Sequence, residues 1–598
     1  APLDEKDSDF MTRDYFILNE LLVPRLLYLA FTGRMPVVLS VWPLIGANRG
    51  WMNRLCGWLT ARGKTGDAFD IHPDWVRFQE KQGGVEAYGF YTDAYMKLES
   101  AQEAFFGMRD LDKRIPDYAQ AARHRICTHY ADLHWLVLAL RDLDPADRVF
   151  GLLPELKAFV EAYSDRPVAF TVPRPWQGSR LLNAGVWLSG ILFSVVWMLR
   201  HLVLRQPVRK AYFLGADLLQ VMRHLYVTRE MVNDDSECLI VFRTQQFQNM
   251  YRGRIGSMDH CLVTDGVIPL AQLPGMLWLL LRDQTRLFIR LGGYSPSLYR
   301  RTVTLVHWRI VFRALFNRFE LKNFLARDDY NGEHVIRTQE LRRIGTRSLG
   351  IGHGLPTPNR ISPVFRYLDF DLYFTFTRKF FEIFYASSFS PDTEIVGIGS
   401  IGLPRDLLQR LGDQRPDDII VYLSHDLEAE RYVEAVQEIA RRFPDRKLLC
   451  KIKESQFGHG TADFFIDAIN AGPDNLIETR EDSYALMLKG RYAISNDSTV
   501  ISEAIGFGVC TFMYDVYDQV APRDGHPTMF RDVPEICVAT PDEFESRLRS
   551  IEDGSWQYPR AEMDILIEMT GLNPFDIIRS RIGLEPKDPL VPMKIATV

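Results

Sequence analysis

Gly490 to Gly508 reads GRYAISNDSTVISEAIGFG. Its opening, RYAIS, has the apolar run of a buried strand. Asn496, Asp497, Ser498 and Thr499 follow as four small polar residues, and VISEAIGFG has the spacing of a short helix closed by a glycine turn. A strand that ends in small polar residues and restarts as a helix is a common anion-binding junction. The first N–H groups of a helix lack intrahelical partners and carry a partial positive charge. The same residues also suit a plain helix cap.

Working outward from this stretch, strands and helices alternate. IIVYLSHD, KLLCKIKES, NLIETR, YAISND, TFMYD and EICVAT are strand patterns, and EAERYVEAVQEIARRF between the first two has helical spacing. Strands joined by helices of this length need right-handed crossovers, which predicts a doubly wound parallel sheet. Upstream, MPVVLSVW, DRVFGLL, PVAFTV, CLIVFRT and DHCLVTDG read as strands of an earlier α/β domain, followed by TRSLGIGHG, DLYFTF and EIVGIGS. The polar stretch IGLPRDLLQRLGDQRPDD separates the two. The predicted organisation is an N-terminal α/β domain over 1–404, a linker over 405–417, a second α/β domain over 418–560, and a terminal helix and tail over 561–598. The predicted fold class is α/β, with two Rossmann-like doubly wound domains facing a cleft.

At 598 residues, the chain is long enough for two or three domains. With 46% apolar and 25% charged residues it is globular. Its seven cysteines are scattered and lack metal-ligand spacing, which reads as a reducing compartment without a disulfide framework. The opening APLDEKDSD has no signal-peptide pattern. The net charge of −6 conceals an asymmetry. Arg166 to Gly215 holds seven Lys and Arg and no acid, and Met276 to Phe319 holds eight Arg and one acid, Asp283.

These basic stretches are also the most apolar. LLNAGVWLSGILFSVVWML, Leu181 to Leu199, is uncharged for 19 residues, the length of a bilayer span. Later, LPGMLWLLLRDQTRLFIRLGG and TLVHWRIVFRALFNRF alternate Arg with Trp, Leu and Phe. The predicted reading is membrane-facing helical inserts near 177–212 and 267–320, lying in plane on an anionic leaflet. A buried core helix and a true span are the other readings of 181–199.

Ligands of doubly wound sheets bind beyond the carboxyl ends of strands, so the polar residues there are the candidates. GIGHGLP places His353 in a glycine turn, and an imidazole with an unperturbed pKa of about 6.5 suits a general base. GIGSIGLP offers Gly399, whose backbone N–H is expected to face the cleft. YLSHD offers Ser424 and His425 in a phosphate-binding loop. KIKES offers Lys451 and Lys453 at alternate positions, with Glu454 behind them as a second catalytic candidate. The opening stretch adds Ser495, Asn496, Ser498, Thr499 and Glu503, the last as a ribose acceptor or a surface residue. Each has a bland alternative: a loop His, a hinge glycine, a solvated strand end or a cap.

The order GHGLP, DLYFTFTRKFFEIF, VGIGSIGLP, SHD, KIKES, ISNDSTVISEAIGFG over roughly 345–585 resembles GT-B glycosyltransferases of bacterial surface-polysaccharide synthesis, in particular the CDP-glycerol glycerophosphotransferase and capsule transferase group. The resemblance implies that His353 is a base or acceptor-side group. It also implies that Ser498 and Thr499 hold donor phosphates and that Glu503 is the acidic residue of the following helix. Where that family carries His-Pro after the basic strand, this chain reads Lys453-Glu454-Ser455, leaving Lys451 or Lys453 to supply positive charge.

The expected function is therefore a metal-independent transferase with no cofactor. It moves a sugar, or glycerophosphate, from a nucleotide-activated donor to a lipid-linked or growing saccharide. The expected location is peripheral, on the cytoplasmic face of the cell membrane, with no nucleic-acid partner. The alternative is a non-catalytic GT-B-like membrane-associated binding or assembly protein, and a weaker third reading is a nucleotide-sugar epimerase.

Overall fold

The computed structural model describes residues 13–18, 23–40, 49–70, 111–130, 140, 143, 146–152, 170–171, 180–217, 222–293, 296–327, 331–352, 363–379, 381, 390, 392–399, 415–423, 429–453, 457, 460–496, 498, 500–515, 533–559 and 573–587. The chain divides into two compact units. Ala1–Pro207, Val267–Ala314 and Tyr330–Arg337 make one, and Val208–Gly266, Leu315–Asp329 and Thr338–Val598 the other.

The first unit contains a parallel sheet of β1 (Asp14–Ile17), β2 (Val37–Ser40), β3 (Ala68–Asp70), β4 (Arg148–Leu152) and β5 (Phe170–Thr171), in the order β3-β2-β1-β4-β5. The short strands β6 (Leu202–Val203) and β10 (Ile268–Pro269) pair in parallel. They connect the ends of two long helices, α1 (Arg180–Arg200) and α2 (Leu273–Leu291). A third, α3 (Pro296–Arg318), continues beyond them.

The sequence reading of 267–320 as membrane-facing fails for α3. Leu305, Val306, Ile310, Leu315 and Phe316 are fully buried. Arg309 is buried too, because its charge is met inside: its guanidinium lies 3.7 Å from the Asp283 carboxylate, donates to the Asp117 carbonyl at 3.0 Å and sits over the Tyr118 ring. Arg in an apolar helix is compatible with a protein core when such partners exist. They lie far away in sequence, so the helix's own pattern does not reveal them.

The second unit holds two sheets. The first comprises β7 (Lys210–Asp217), β8 (Cys238–Phe242), β9 (Asp259–Leu262), β11 (Phe319–Ala326), β12 (Arg347–Ile351), β13 (Leu372–Thr375) and β14 (Glu394–Gly397), in the order β14-β13-β12-β11-β7-β8-β9. The second comprises β15 (Ile419–Leu423), β16 (Leu448–Ile452), β17 (Leu476–Thr479), β18 (Tyr492–Ser495), β19 (Cys510–Tyr514) and β20 (Cys537–Val538), in the order β17-β16-β15-β18-β19-β20. All neighbouring strands run parallel. Counted from its own first strand, each sheet has the Rossmann order 3-2-1-4-5-6, the larger with one more edge strand.

The strands read from 1–404 as one domain thus fall into two sheets, β2, β4 and β5 in one unit and β8, β9, β12, β13 and β14 in the other. Apolar runs identify strands; they do not encode which strand pairs with which. Two successive doubly wound sheets give the second unit a Rossmann-like α/β fold.

Local sequence explains the elements of the second sheet. β15 is five consecutive buried residues, IIVYL, as expected of a parallel strand covered on both faces. The crossover helix α4 (Ala429–Arg442) buries Tyr432, Val433, Val436, Ile439 and Ala440, one stripe at helical spacing. Two short helices, α5 (Ser483–Leu486) and α6 (Val500–Gly506), pack on one sheet face around Tyr422, Ala493 and Phe507.

The chain then returns. Helix α7 (Pro574–Ile582) starts at an Asn573 cap with Pro574 in its first turn and stops at Gly583, whose φ of 82° is left-handed. Phe575, Ile578 and Ile582 join the core of the preceding seven-stranded sheet with Leu214, Ile240 and Phe374. Buried Arg579 fastens the helix there. Its guanidinium donates to the carbonyls of Glu230 at 3.0 Å, Val232 at 3.1 Å and Glu585 at 2.7 Å, and to Asn233 Oδ1 at 2.6 Å.

Two consequences are measurable. Arg579→Met keeps the stem but leaves those buried carbonyls without donors, and costs about 3 kcal/mol; thermal denaturation should show a clear fall in melting temperature. In the first unit, burial pushes the His307 imidazole down to about 4 where it meets Ser194 Oγ at 3.1 Å. The unfolded chain takes up a proton near 6.5 and the folded chain does so only near 4, so protonation favours unfolding. Stability of this unit should fall as pH drops from about 6.5 toward about 4, and His307→Phe should flatten that decline in a series of melting curves.

Candidate functional site

The second Rossmann sheet reverses its winding at β15, which has β16 on one side and β18 on the other. In such sheets the crossovers leaving the two central strands go to opposite faces and open a crevice at their carboxyl ends. Ser495 of β18 and Lys451 of β16 are both in register with Tyr422 of β15. Side chains in register on parallel strands share a face, so all three project toward the face covered by α5 and α6.

The junction after β18 is built from inside out. Ser495 is fully buried, and its hydroxyl donates to the Tyr422 carbonyl at 3.4 Å. Asn496 is buried at the strand end. Ser498 is half-buried, and its Oγ accepts the Val500 N–H at 3.4 Å, a cap on the start of α6. That helix has only seven residues, so it sums few peptide dipoles. Beyond its end at Gly506, Gly508, with a left-handed φ of 82°, turns the chain into β19.

Glu503 is not a surface residue. Its carboxylate is buried, and Tyr484 of α5 donates its hydroxyl to Oε1 at 2.9 Å. Beside it, burial first, then the Glu503 and Asp482 carboxylates, hold the Tyr422 phenol well above its usual range. That phenol donates to the Ser483 carbonyl at 3.1 Å. The junction therefore rests on a polar layer of two tyrosines and a carboxylate.

The basic strand divides. Lys451 is buried within β16, whereas Lys453, one residue beyond it, is exposed and hydrogen-bonds through its N–H to the Leu423 carbonyl at 3.0 Å. Gly399 does not join this group. It follows β14, the edge strand of the other sheet, with φ of 71°. Its N–H donates to the Phe376 carbonyl at 3.1 Å, so the expected ligand-facing amide is already engaged. His353, Ser424, His425, Glu454 and Thr499 lie outside the described residues.

Other strand-end groups escaped the sequence reading. Asp217 ends β7, the winding-reversal strand of the seven-stranded sheet, and is buried against Arg243, whose Nε and Nη2 both reach its Oδ2 at 3.0 Å. The signal was available: LGAD and VFR are apolar runs ending in opposite charges. Thr377, just past β13, and Ser502 of α6 have buried hydroxyls with no hydrogen-bond partner among the described residues. Among the described residues no three His, Cys, Asp or Glu side chains converge on a metal position.

No protein-family model and no curated protein matches this sequence. Solved structures do. The UDP-GlcNAc 2-epimerase from Neisseria meningitidis, bound to UDP-GlcNAc, is 13% identical with a TM-score of 0.38, over 62% of this chain and 99% of that one. The wall teichoic acid polymerase TagF is 10% identical with a TM-score of 0.39, over 68% of this chain and 97% of that one. The calicheamicin glycosyltransferase CalG4 is 11% identical with a TM-score of 0.35, over 63% and 98%.

The buried layer under the junction carries its own test. Tyr484→Phe strands one oxygen of the Glu503 carboxylate and should cost about 1–3 kcal/mol. Chemical denaturation should show this as a lower midpoint, and Glu503→Gln in the same background should recover part of it.

Proposed function

We propose that this protein is a metal-independent transferase that moves a sugar, or a glycerophosphate, from a nucleotide-activated donor to a lipid-linked or growing saccharide at the cytoplasmic face of a membrane. One observation carries the reading: the carboxyl edge where the 3-2-1-4-5-6 sheet reverses its winding bears small polar residues, Ser495, Asn496 and Ser498, beside Lys451 and Lys453.

In this reading the donor diphosphate lies against that edge. The two lysines and the junction's hydroxyl and amide donors stabilise charge on the departing nucleotide diphosphate. His353 removes the proton from the attacking acceptor hydroxyl, and Glu454 is the second acid–base candidate. The nucleotide is a co-substrate, and no resident cofactor is invoked.

A second reading, a non-catalytic nucleotide-binding or assembly protein of the same fold, is favoured by two facts. Ser498 is already used as a cap and Glu503 is already bonded by Tyr484. Thermal shift against CMP, CDP, UDP and GDP separates the cases from failure. One nucleotide should raise the melting temperature, and no shift with any of them sinks both readings. Given a binder, His353→Ala should lower turnover by about 10²–10⁴-fold while leaving the nucleotide-induced shift intact. Binding without turnover in the parent protein, across saccharide and lipid-linked acceptors, would leave the second reading standing.

A further inference from the structure

The helices α1 and α2 lie antiparallel. Asn183 Nδ2 donates to the Gly292 carbonyl at 2.9 Å, the Trp187 and Phe288 rings meet at 5.8 Å, and Gly190 faces the Gln284 side chain. A Cβ on Gly190 would stand 3.4 Å from Gln284 Nε2, an ordinary van der Waals contact, so the two helices pass here at side-chain distance. Ser194 is also inward, bonded to the Gly190 carbonyl at 2.8 Å and to His307. One face of α1 is therefore fastened to the unit along its length.

The opposite face is bare. Leu181 is 82% exposed and Phe193 62%, with Leu188, Leu192, Val196 and Leu199 completing a stripe at helical spacing. On α2, Trp278 is 66% exposed and Ile289 63%, and with Leu281, Arg282, Arg286 and Arg290 they line an open groove. Apolar exposure on this scale marks an interaction surface.

Charge identifies the occupant. From Arg180 to Pro207 there is no acidic residue, and Arg180, Arg200 and Arg205 are exposed. The one acid of α2, Asp283, is buried beneath the Tyr118 hydroxyl at 2.6 Å. Among the described residues the outer face is thus apolar with an excess of positive charge: Arg282 is met by buried Asp283 and Arg286 lies 3.8 Å from half-exposed Asp117, while Arg180, Arg200, Arg205 and Arg290 are exposed. Its complement is apolar and negative, as acyl chains beneath anionic headgroups are, and a second copy would set an excess of arginine against an excess of arginine.

We propose that the α1–α2 pair is an in-plane membrane-binding face, which docks on an anionic bilayer with the outer stripe of α1 and Trp278 in the acyl boundary and the arginines at headgroup level. Helix α1 is long and apolar enough to cross a bilayer. It lies in plane instead, because spanning would strip Asn183 and Ser194 of their buried partners. The inference stands on the first unit alone and gives the transferase reading a route to a lipid-linked acceptor.

The test is flotation of the full chain with vesicles of phosphatidylcholine alone, or of equal parts phosphatidylcholine and phosphatidylglycerol. The protein should float with the anionic vesicles, less so in high salt, and poorly with the neutral ones. It should be released by alkaline carbonate. The variant carrying Leu188→Glu, Leu192→Glu and Trp278→Glu changes exposed positions only and should keep its melting temperature and its nucleotide-induced shift, while its partition falls on the order of tenfold or more. Equal flotation of parent and variant overturns the proposal, as does indifference to lipid charge. Resistance to carbonate would make α1 a span, and a parent dimer that becomes monomeric in the variant, without vesicle binding, would make the face a self-association surface. Because nucleotide response is read on the same samples, loss of the membrane face and loss of the transferase reading are told apart.

Discussion

Strand β15 is the constraint on which the six-stranded sheet and its carboxyl edge depend. It is buried on both faces and hydrogen-bonded along both edges, to β16 and to β18. A strand in that position cannot pass on to a single next neighbour. The chain must wind outward twice from the same centre, and right-handed crossovers then send successive helices to opposite faces. The opening at the carboxyl end of β15 follows from this geometry before any polar residue is considered. The residues set there, Ser495 and Asn496, are polar where the sheet's interior is not. They are held from below by the Tyr422, Tyr484 and Glu503 layer.

Much of this layout was legible because its signals are local. Continuous apolar runs of four or five residues, separated by a helix-length amphipathic stretch, identify parallel strands without further help. The polar junction at 495–498 was visible for the same reason: it interrupts such a run abruptly. What stayed hidden depends on contacts distant in sequence. Glu503 reads as a helix-surface acid until Tyr484, 19 residues earlier, is seen to donate to it. Gly399 reads as a free amide until the Phe376 carbonyl is placed opposite. The strands of 1–404 read as one domain because periodicity marks a strand and says nothing of its pairing.

The three long apolar helices of the first unit make the same point through arginine. All three mix Trp, Leu or Phe with positive charge or are flanked by it, and by pattern alone they are equivalent. Structure separates them by where the guanidinium finds its partners. Arg309 of α3 is surrounded by Asp283, Tyr118 and a backbone carbonyl, and the helix is interior. Next to α1 and on α2 the arginines stay at the surface beside uncovered Leu, Phe and Trp. Burial of an apolar helix is thus decided by whether its charges can be answered inside, and that answer is a tertiary fact.

Helix α7 completes a sheet made more than 170 residues before it. During synthesis the strands from Lys210 to Gly397 leave the ribosome well ahead of Phe575, Ile578 and Ile582. The seat of those side chains, around Leu214, Ile240 and Phe374, stays uncovered in the nascent chain while the whole of the second Rossmann sheet is being translated. Uncovered apolar surface of that kind is what holdase chaperones retain and what drives nascent-chain aggregation. The protein's dependence on chaperones should therefore track elongation speed through codons 398–582 more closely than its final stability.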